Sequence, residues 1–512
     1  MKYKFTETVL IIVAVLALQG CQMEQKQNQP NILIIHADQH RIDCVGAYNN
    51  NDIQTPNIDK LAKEGVLYHN SYCPNPVCTP SRYSLISGMY VHEHKGWSNH
   101  STLNPNIETF PDILKNAGYK TKAVGKMHFA PTYLDVGFEE MVLAEQDGPG
   151  RWDDDYHRDL MKNDLVDIND LEDQLKEYRK NAPEEYWKSF GTAATNLPDE
   201  FYSTNWIANH AVGTIEKWDE LGNMLMVGFI KPHHPFDPPG KWVKMYDPDK
   251  LELLPGWIEK AIGYDTEQNP GYFTNAELDK DALRKSMAYY YASITQIDFE
   301  IGRMIKVLKD NGLYDNTIII YTSDHGEHLG YHHQILKSGY VYESIMRVPL
   351  IIKFPKNQYA GTKNYKLVSN IDLAPTILNT AGLKAPKTMS GHNLTDDSFD
   401  REYVFAHASF GNQAMARSKQ YKLIQKRNGK SLFFDLKTDP LEMTNLFDDK
   451  NYQDEIKSHL QAIINWQGVE SLIAENYLDN DAPTIDQPNV TKYNDGHRAS
   501  TIEYFRTKMT ER

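Results

Sequence analysis

Cysteine is scarce, with four among 512 residues: Cys21, Cys44, Cys73 and Cys78. So few can cross-link little of a chain this long, and the fold must rest on buried apolar surface. Positive charge is also short: 54 lysines and arginines against 69 aspartates and glutamates give a formal net charge of -15. A surface that acidic repels nucleic acid at long range, so nucleic acid is not an expected partner. If the substrate is anionic, positive charge has to be gathered in one pocket. After the N-terminal stretch no run is long and apolar enough to cross a bilayer, and there is no internal repeat. What is there is an ordinary globular composition, 40% hydrophobic and 24% charged. The length calls for one large domain with a smaller one attached.

The first residues read as an export signal. Lys2 and Lys4 precede an apolar stretch from Val9 to Leu18, too short to span a bilayer, followed by Leu18-Gln19-Gly20-Cys21. Leu-x-Gly-Cys resembles the bacterial lipoprotein processing site, which implies a signal peptide over residues 1–20, lipidation of Cys21 and a tether over 21–30. The resemblance implies a membrane anchor, facing the periplasm or the cell surface. A plain cleaved signal peptide is the other reading.

Asn31 to Ala37 is an apolar strand ending in Asp38-Gln39-His40-Arg41. A helix follows, with Thr55 able to cap it, Pro56 in its first turn and Gly65 at its end. Val66 to Tyr72 reads as a strand. The alternation repeats: helix from Phe110 to Ala117 then strand Tyr119 to Val124, helix from Trp206 to Asp219 then strand Met224 to Ile230, and helix from Asp281 to Asp310 then strand Thr317 to Thr322. Apolar strands alternating with helices predict an α/β fold whose large, mostly parallel sheet is sandwiched by helices. In such sheets ligands bind beyond the carboxyl ends of the strands. Asp38 and Asp324-His325 both fall at that rim.

The stretch from Glu140 to Glu200 is acidic, aromatic and poorly periodic, and reads either as a substrate wall over the sheet edge or as a solvated excursion. After Arg401, short strands over Tyr403 to His407, Tyr421 to Gln425 and Ser431 to Leu436, with a helix from Glu455 to Trp466, predict a small antiparallel sheet. The expected division is a catalytic domain over residues 31–398 and a C-terminal subdomain with its tail over 399–512. From Asp479 onward the pattern assigns no structure.

The segment that carries most chemistry is Cys78-Thr79-Pro80-Ser81-Arg82. A cysteine at a helix start has a lowered thiol pKa, so a cysteine nucleophile is one physical reading. The pattern resembles the sequence read by formylglycine-generating enzymes in type I sulfatases of the alkaline phosphatase superfamily. Asn31 to Gln39, Gly125-Lys126-Met127-His128, Lys231-Pro232-His233-His234-Pro235-Phe236, Ser323 to Glu327 and Gln334 to Glu343 resemble sulfatase motifs in sulfatase order. Phe434-Asp435-Leu436 through Asp439-Pro440 to Asn445-Leu446 resembles the family's C-terminal hallmark. The likeness spans nearly the whole mature chain except Gln146 to Pro198 and the tail.

The resemblance implies an alkaline phosphatase-like fold and hydrolysis of a sulfate ester on a carbohydrate, releasing inorganic sulfate. Algal polysaccharides such as ulvan or carrageenan and host glycosaminoglycans are both open as substrates. Cys78 would become formylglycine, made by a formylglycine-generating enzyme, and its hydrated form would offer a geminal diol. One hydroxyl attacks sulfur and the alcohol leaves; the second expels sulfate and restores the aldehyde. Asp38, Gln39, Asp324 and His325, with the modified Cys78, would hold a divalent cation, calcium by resemblance and manganese conceivable with a histidine ligand. Arg82 and Lys126 would orient the diol, His128 would take its proton, Lys337 would contact the sulfate and His233 would protonate the leaving group. His94, Asn99 and His100 are candidate substrate contacts, with packing the alternative for His92 and His94.

One departure matters. Many sulfatases carry two aspartates where this chain has Asp38-Gln39. Asp-Gln pairs also appear in related phosphonate and phosphodiester hydrolases, the main enzymatic rival. A non-catalytic glycan-binding lipoprotein is the reading from another class. Cys44 and Cys73 are either a disulfide or two separate buried thiols.

Overall fold

The structure is a computed structural model describing residues 29–146, 154–265, 273–337, 339–468, 477–478 and 497–511. The signal peptide, Cys21 and Trp152-Asp153 lie outside the described residues.

The central sheet has eight strands: β1 (Asn31–Ala37), β2 (Val66–Tyr68), β3 (Lys120–Gly125), β4 (Glu140–Leu143), β5 (Asn223–Phe229), β6 (Thr317–Ser323), β7 (Leu350–Lys353) and β8 (Thr362–Asn364). Their order across the sheet is β8-β2-β7-β6-β1-β5-β3-β4. Within this sheet β7 pairs antiparallel with both neighbours and the other pairings are parallel. β1, β5 and β6 are buried along their whole length, as expected of strands covered on both faces.

The covering helices are α1 (Pro56–Glu64), α2 (Cys78–Ser87), α3 (Phe110–Asn116), α4 (Asp155–Lys162), α5 (Ile168–Gln174), α6 (Ser203–Ile215), α7 (Lys280–Asp310) and α8 (Leu373–Thr380). Alternate residues of the strands serve opposite layers. Ile32, Ile34, Met224, Met226, Ile318 and Ile320 pack with α2, α3 and α8. Leu33, Ile35, Leu225, Val227, Ile319 and Tyr321 pack with α1, α6 and α7. No helix among the described residues is long and apolar enough to cross a membrane.

A second sheet of four antiparallel strands follows: β9 (Val404–Ala408), β10 (Gln413–Arg417), β11 (Tyr421–Lys426) and β12 (Leu432–Asp435). Helix α9 (Gln453–Gln467) packs Ile456 and Ile463 against Ala414, Ala416, Leu423 and Phe433. The fold is therefore the expected one, with a large mostly parallel sheet and a smaller antiparallel one.

Several elements differ from the sequence reading. Glu140–Leu143 is an edge strand paired with β3, so the acidic stretch opens inside the sheet. Further on, α4 and α5 send Tyr156, Leu160 and Leu171 into the core, so these two helices are not a solvated excursion, while Lys176–Arg179 and Glu184–Lys188 bury no residue. The Val66 to Tyr72 strand breaks after Tyr68, and Ser71–Tyr72 pairs with Val368–Ser369 instead. Thr55 makes no cap to α1. The free N–H groups of Asn57 and Ile58 are taken by the Asp298 carboxylate of α7, at 3.0 and 2.7 Å. β10 was not expected, nor was α10 (His497–Thr510), which packs on α4 and buries Phe505 in the core on one face of the large sheet. Cys44 and Cys73 are separate buried thiols in different apolar clusters.

Candidate active site

Register builds the site. Ala37 pairs with Phe229 on one side and Ser323 on the other, so the three strands end level. The residues that follow, Asp38, Asp324 and the Lys231 to His233 turn, emerge side by side. On the far side of β5, Gly125 sits at φ 89°, where a Cβ would lie 2.1 Å from the Gly228 carbonyl oxygen. Only glycine permits this approach, which turns the chain into Lys126 at the same rim.

Helix α2 enters this rim from below with Cys78 as its first residue. Asn99 Oδ1 accepts the Thr79 N–H at 3.1 Å, and Thr79 Oγ1 donates to the His128 carbonyl at 2.6 Å. One turn on, Arg82 is fully buried and bridges both acids. Its Nε donates to Asp324 Oδ2 at 2.9 Å and Nη2 to Asp38 Oδ2 at 3.0 Å, while Nη1 donates to the Lys126 carbonyl at 2.5 Å. Lys126 Nζ is 2.8 Å from Asp38 Oδ2. Asp324 Oδ1 also accepts the backbone N–H groups of Gln39 and His325, both at 3.0 Å.

One ligand atom each from Asp38, Cys78, Asp324 and His325 lies within 4.8 Å of the others. His325 Nδ1–H donates to the Gly326 carbonyl at 2.9 Å, which leaves Nε2 facing Cys78 Sγ at 3.3 Å. Gln39 stands in the left-handed region at φ 64°, its amide donating to Glu327, and its buried Oε1 has no hydrogen-bond partner. Two buried carboxylates beside an orphaned buried amide oxygen fit an oxygen-seeking divalent cation. The side chains present thus fit the metal that the sequence implies.

Lys337 closes the site. Its Nζ is 2.9 Å from Cys78 Sγ, 2.9 Å from His233 Nε2 and 3.2 Å from His325 Nε2. Burial opposes the Lys337 charge, but Cys78 and the two aspartates outweigh it and hold its pKa up. Burial also opposes ionisation of Asp38, and Lys126, His233, Lys337 and Arg82 together keep its carboxyl well below the usual range. For the Cys78 thiol, burial and Asp38 push up while Lys337, His325 and Lys126 pull it well down. Burial, then Lys337 and Lys126, lowers His233 to about 4.

Of the residues singled out in the sequence, Asp38, Gln39, Cys78, Arg82, Lys126, His233, Asp324, His325 and Lys337 meet here. His128 is set beside α2 by its carbonyl, with its own N–H on Glu145 Oε1 at 3.0 Å. Of the two histidines of the turn, His233 faces Lys337, while His234 is held at both nitrogens by Asp173 and the Phe190 carbonyl. His94 is a correction. It is fully buried, with Nε2 on Ser84 Oγ at 2.8 Å and Nδ1 on the Gly96 N–H at 3.0 Å, so it packs α2 and is closed to substrate. Asn99 is corrected in part, since its carbonyl oxygen serves the start of α2. His100 is exposed. Gln146, Asp170, Asp173 and Gln174, which back the histidine turn, were missed in the sequence, where the pattern around them signals only polarity.

With the geometry established, comparison with known proteins defines the class and then the family. The fold matches a crystal structure of phosphonate monoester hydrolase from Agrobacterium radiobacter with a TM-score of 0.71, covering 86% of this chain and 96% of that one at 21% identity. This is the alkaline phosphatase-like hydrolase fold. The family model for sulfatases matches residues 30–383, and that for the C-terminal part of N-sulphoglucosamine sulphohydrolase matches residues 330–467. The chain belongs to the sulfatase family, whose members are sulfuric ester hydrolases. It is 32% identical to an arylsulfatase of Clostridium perfringens, over 84% of this chain and 92% of the relative. It is 28% identical to an N-acetylglucosamine-6-O-sulfatase of Bacteroides thetaiotaomicron, over 93% and 92%.

Proposed function

We propose that this sulfatase removes sulfate from a carbohydrate ester, with Cys78 converted to formylglycine by a formylglycine-generating enzyme. The observation that carries the reading is the buried cluster of Arg82, Asp38 and Asp324 meeting Cys78, with Lys337 2.9 Å from Cys78 Sγ. The relative that acts on N-acetylglucosamine 6-sulfate, aligned over nearly the full length of both chains, supports a sulfated sugar as substrate.

In this reading Asp38, Gln39 and Asp324 with His325 hold a divalent cation, calcium by its preference for oxygen. When bound, the cation supplies Lewis-acid stabilisation of charge on the nucleophile and the sulfate. The side chains do the rest. Arg82 locks both carboxylates in place and so sets the ligand geometry. Lys126 neutralises Asp38 and orients the nucleophile at position 78. Lys337 binds sulfate oxygens at the mouth of the site and stabilises charge gathering there. His233, with Nε2 facing the same space, protonates the departing sugar oxygen. In the free site it is neutral, its pKa lowered to about 4 by burial and by Lys337; sulfate bound against Lys337 offsets that cation and favours protonation. His128 takes the proton that lets sulfate depart.

The catalytic domain is assigned to residues 31–398 and the C-terminal subdomain to 399–512, its last helix returning to the catalytic domain. Cleavage before Cys21 and its lipidation would anchor the protein to a bacterial membrane, facing the periplasm or the outside. Exchange of Cys21 for Ser should release it into the soluble fraction.

Two observations favour a second reading, phosphonate or phosphodiester hydrolysis: the fold likeness to a phosphonate monoester hydrolase and the neutral Gln39 beside Asp38. Rates on matched aryl sulfate and aryl phosphonate esters separate the two. Preference for sulfate supports the proposal, and preference for phosphonate overturns it.

A further inference from the structure

The side chains behind His233 come from the acidic, aromatic stretch that follows Glu140. On His233, Nδ1 lies 2.6 Å from the carbonyl oxygen of His234. A carbonyl only accepts, so Nδ1 carries the proton and Nε2 is the nitrogen left to face the site. That carbonyl oxygen is gripped from the other side by two amides, Gln146 Nε2 at 3.1 Å and Gln174 Nε2 at 3.3 Å.

The ring of His234 is fixed as well. Nε2–H donates to the Phe190 carbonyl at 2.8 Å, and Nδ1 is 2.6 Å from Asp173 Oδ1. Asp173 also accepts the Tyr186 hydroxyl at 2.8 Å and the Gln174 amide. Both nitrogens of His234 thus meet oxygen acceptors, and Asp173 holds the ring from one side. The pair is sealed from water, at 1% and 0% side-chain exposure. Held at both nitrogens, the ring has one orientation, and the backbone that carries the His234 carbonyl is fixed with it.

Gln146 has a further contact. Its Oε1 accepts from Lys126 Nζ at 3.4 Å, while Nε2 donates both to the His234 carbonyl and to Asp170 Oδ1 at 2.6 Å. One amide therefore ties Lys126, on the nucleophile's side, to the carbonyl that aims His233 on the leaving-group side.

We infer that Asp173 and Gln146 are positioning residues, which hold the His234 carbonyl so that His233 Nε2 points at the leaving-group oxygen. The inference rests on the role proposed above for His233. A proton donor matters most when the leaving group is a poor one, so misaiming His233 penalises weakly acidic alcohols and spares strongly acidic ones. A purely structural loss lowers all esters alike.

The test uses full-length protein converted at Cys78 and a series of aryl sulfates from 4-nitrophenyl to phenyl to 4-methoxyphenyl sulfate. The slope of log kcat against phenol acidity should steepen in His233→Ala. It should steepen in the same sense in Asp173→Asn and Gln146→Ala, with about 10–100-fold lost on phenyl sulfate and far less on 4-nitrophenyl sulfate. Adding Asp173→Asn to His233→Ala should cost nothing more, since both act through one group. Equal losses on every ester, or additive losses in the double variant, overturn the positioning role while leaving His233 as the acid. A His233→Ala slope like that of the unaltered enzyme removes the acid itself, and the inference with it. Turnover of 4-nitrophenyl sulfate shows that a variant is folded, and if Asp173→Asn does not fold, Gln146→Ala carries the same comparison.

Discussion

Replacing Lys337 by Met removes one charge with little change in volume and tests how the site gathers an anion. Among the described cations at the rim, Arg82 is committed to both aspartates and Lys126 to Asp38. Lys337 is the one that touches Cys78, at 2.9 Å from Sγ, where the sulfate must sit. Two unit charges about 4 Å apart at an effective dielectric of about 20 interact by about 4 kcal/mol. That corresponds to roughly a 10³-fold loss in kcat/KM if the contact is lost only in the transition state. The assay is kcat/KM for a sulfate ester the unaltered enzyme turns over, with inhibition by inorganic sulfate alongside. If the contact also exists in the ground state, part of the loss appears as weaker sulfate inhibition. Lys337→Arg should keep part of the activity. A folded Lys337→Met enzyme within tenfold of the original would refute the reasoning.

Arg82→Met leaves Asp324 buried without its cation, and breaking such a pair should cost about 3–5 kcal/mol in denaturant unfolding; a loss below about 1 kcal/mol would contradict the bridging role. Asp298 caps α1 across the interface, and Asp298→Ala should cost about 1–3 kcal/mol by stranding the N–H groups of Asn57 and Ile58. Burial raises the Asp298 carboxyl from 3.8 to about 6. The folded state therefore holds the proton more tightly than the unfolded one, and this group's contribution falls as pH rises from about 4 to 6 and stays lost above. Measured against Asp298→Asn, the unaltered protein should lose up to about 3 kcal/mol across that window, and a difference that does not vary with pH would contradict it. Mass analysis of unreduced, denatured protein after alkylation should find both Cys44 and Cys73 modified; a Cys44–Cys73 linked peptide would contradict their separate burial.

The rim that gathers the candidate site was legible because it depends on strand ends. Asp38 and Asp324 each follow an apolar run, and parallel pairing in level register brings such residues together without any further information. The helix carrying Cys78 was legible for a local reason, Pro80 in its first turn. What stayed hidden acts across the chain. Asp298 caps α1 from 241 residues away, so the Thr55-Pro56 signal named the right place and the wrong acceptor. Gln146 and Asp173 sit in an acidic stretch whose pattern says only that it is polar; their partners on the His234 turn exist only once the fold closes. For His94 the sequence left substrate contact and packing open, because only the closed fold shows that Ser84 and Gly96 occupy its nitrogens. β10 was missed because Gln413-Ala414-Met415-Ala416-Arg417 is rich in alanine, a weak strand former, and is held by ladders on both sides. Helix α10 has little apolar face of its own and is placed by Phe505.

The measurement that bears most directly on the account is sulfate released from a panel of sulfated oligosaccharides and polysaccharides by protein co-produced with a formylglycine-generating enzyme. Peptide mass establishes conversion of Cys78, and Cys78→Ala is run beside it. The account predicts sulfate release by the converted protein and none by the variant. Undiminished release by Cys78→Ala, or turnover of phosphonate esters with none of any sulfate ester by fully converted protein, would contradict it.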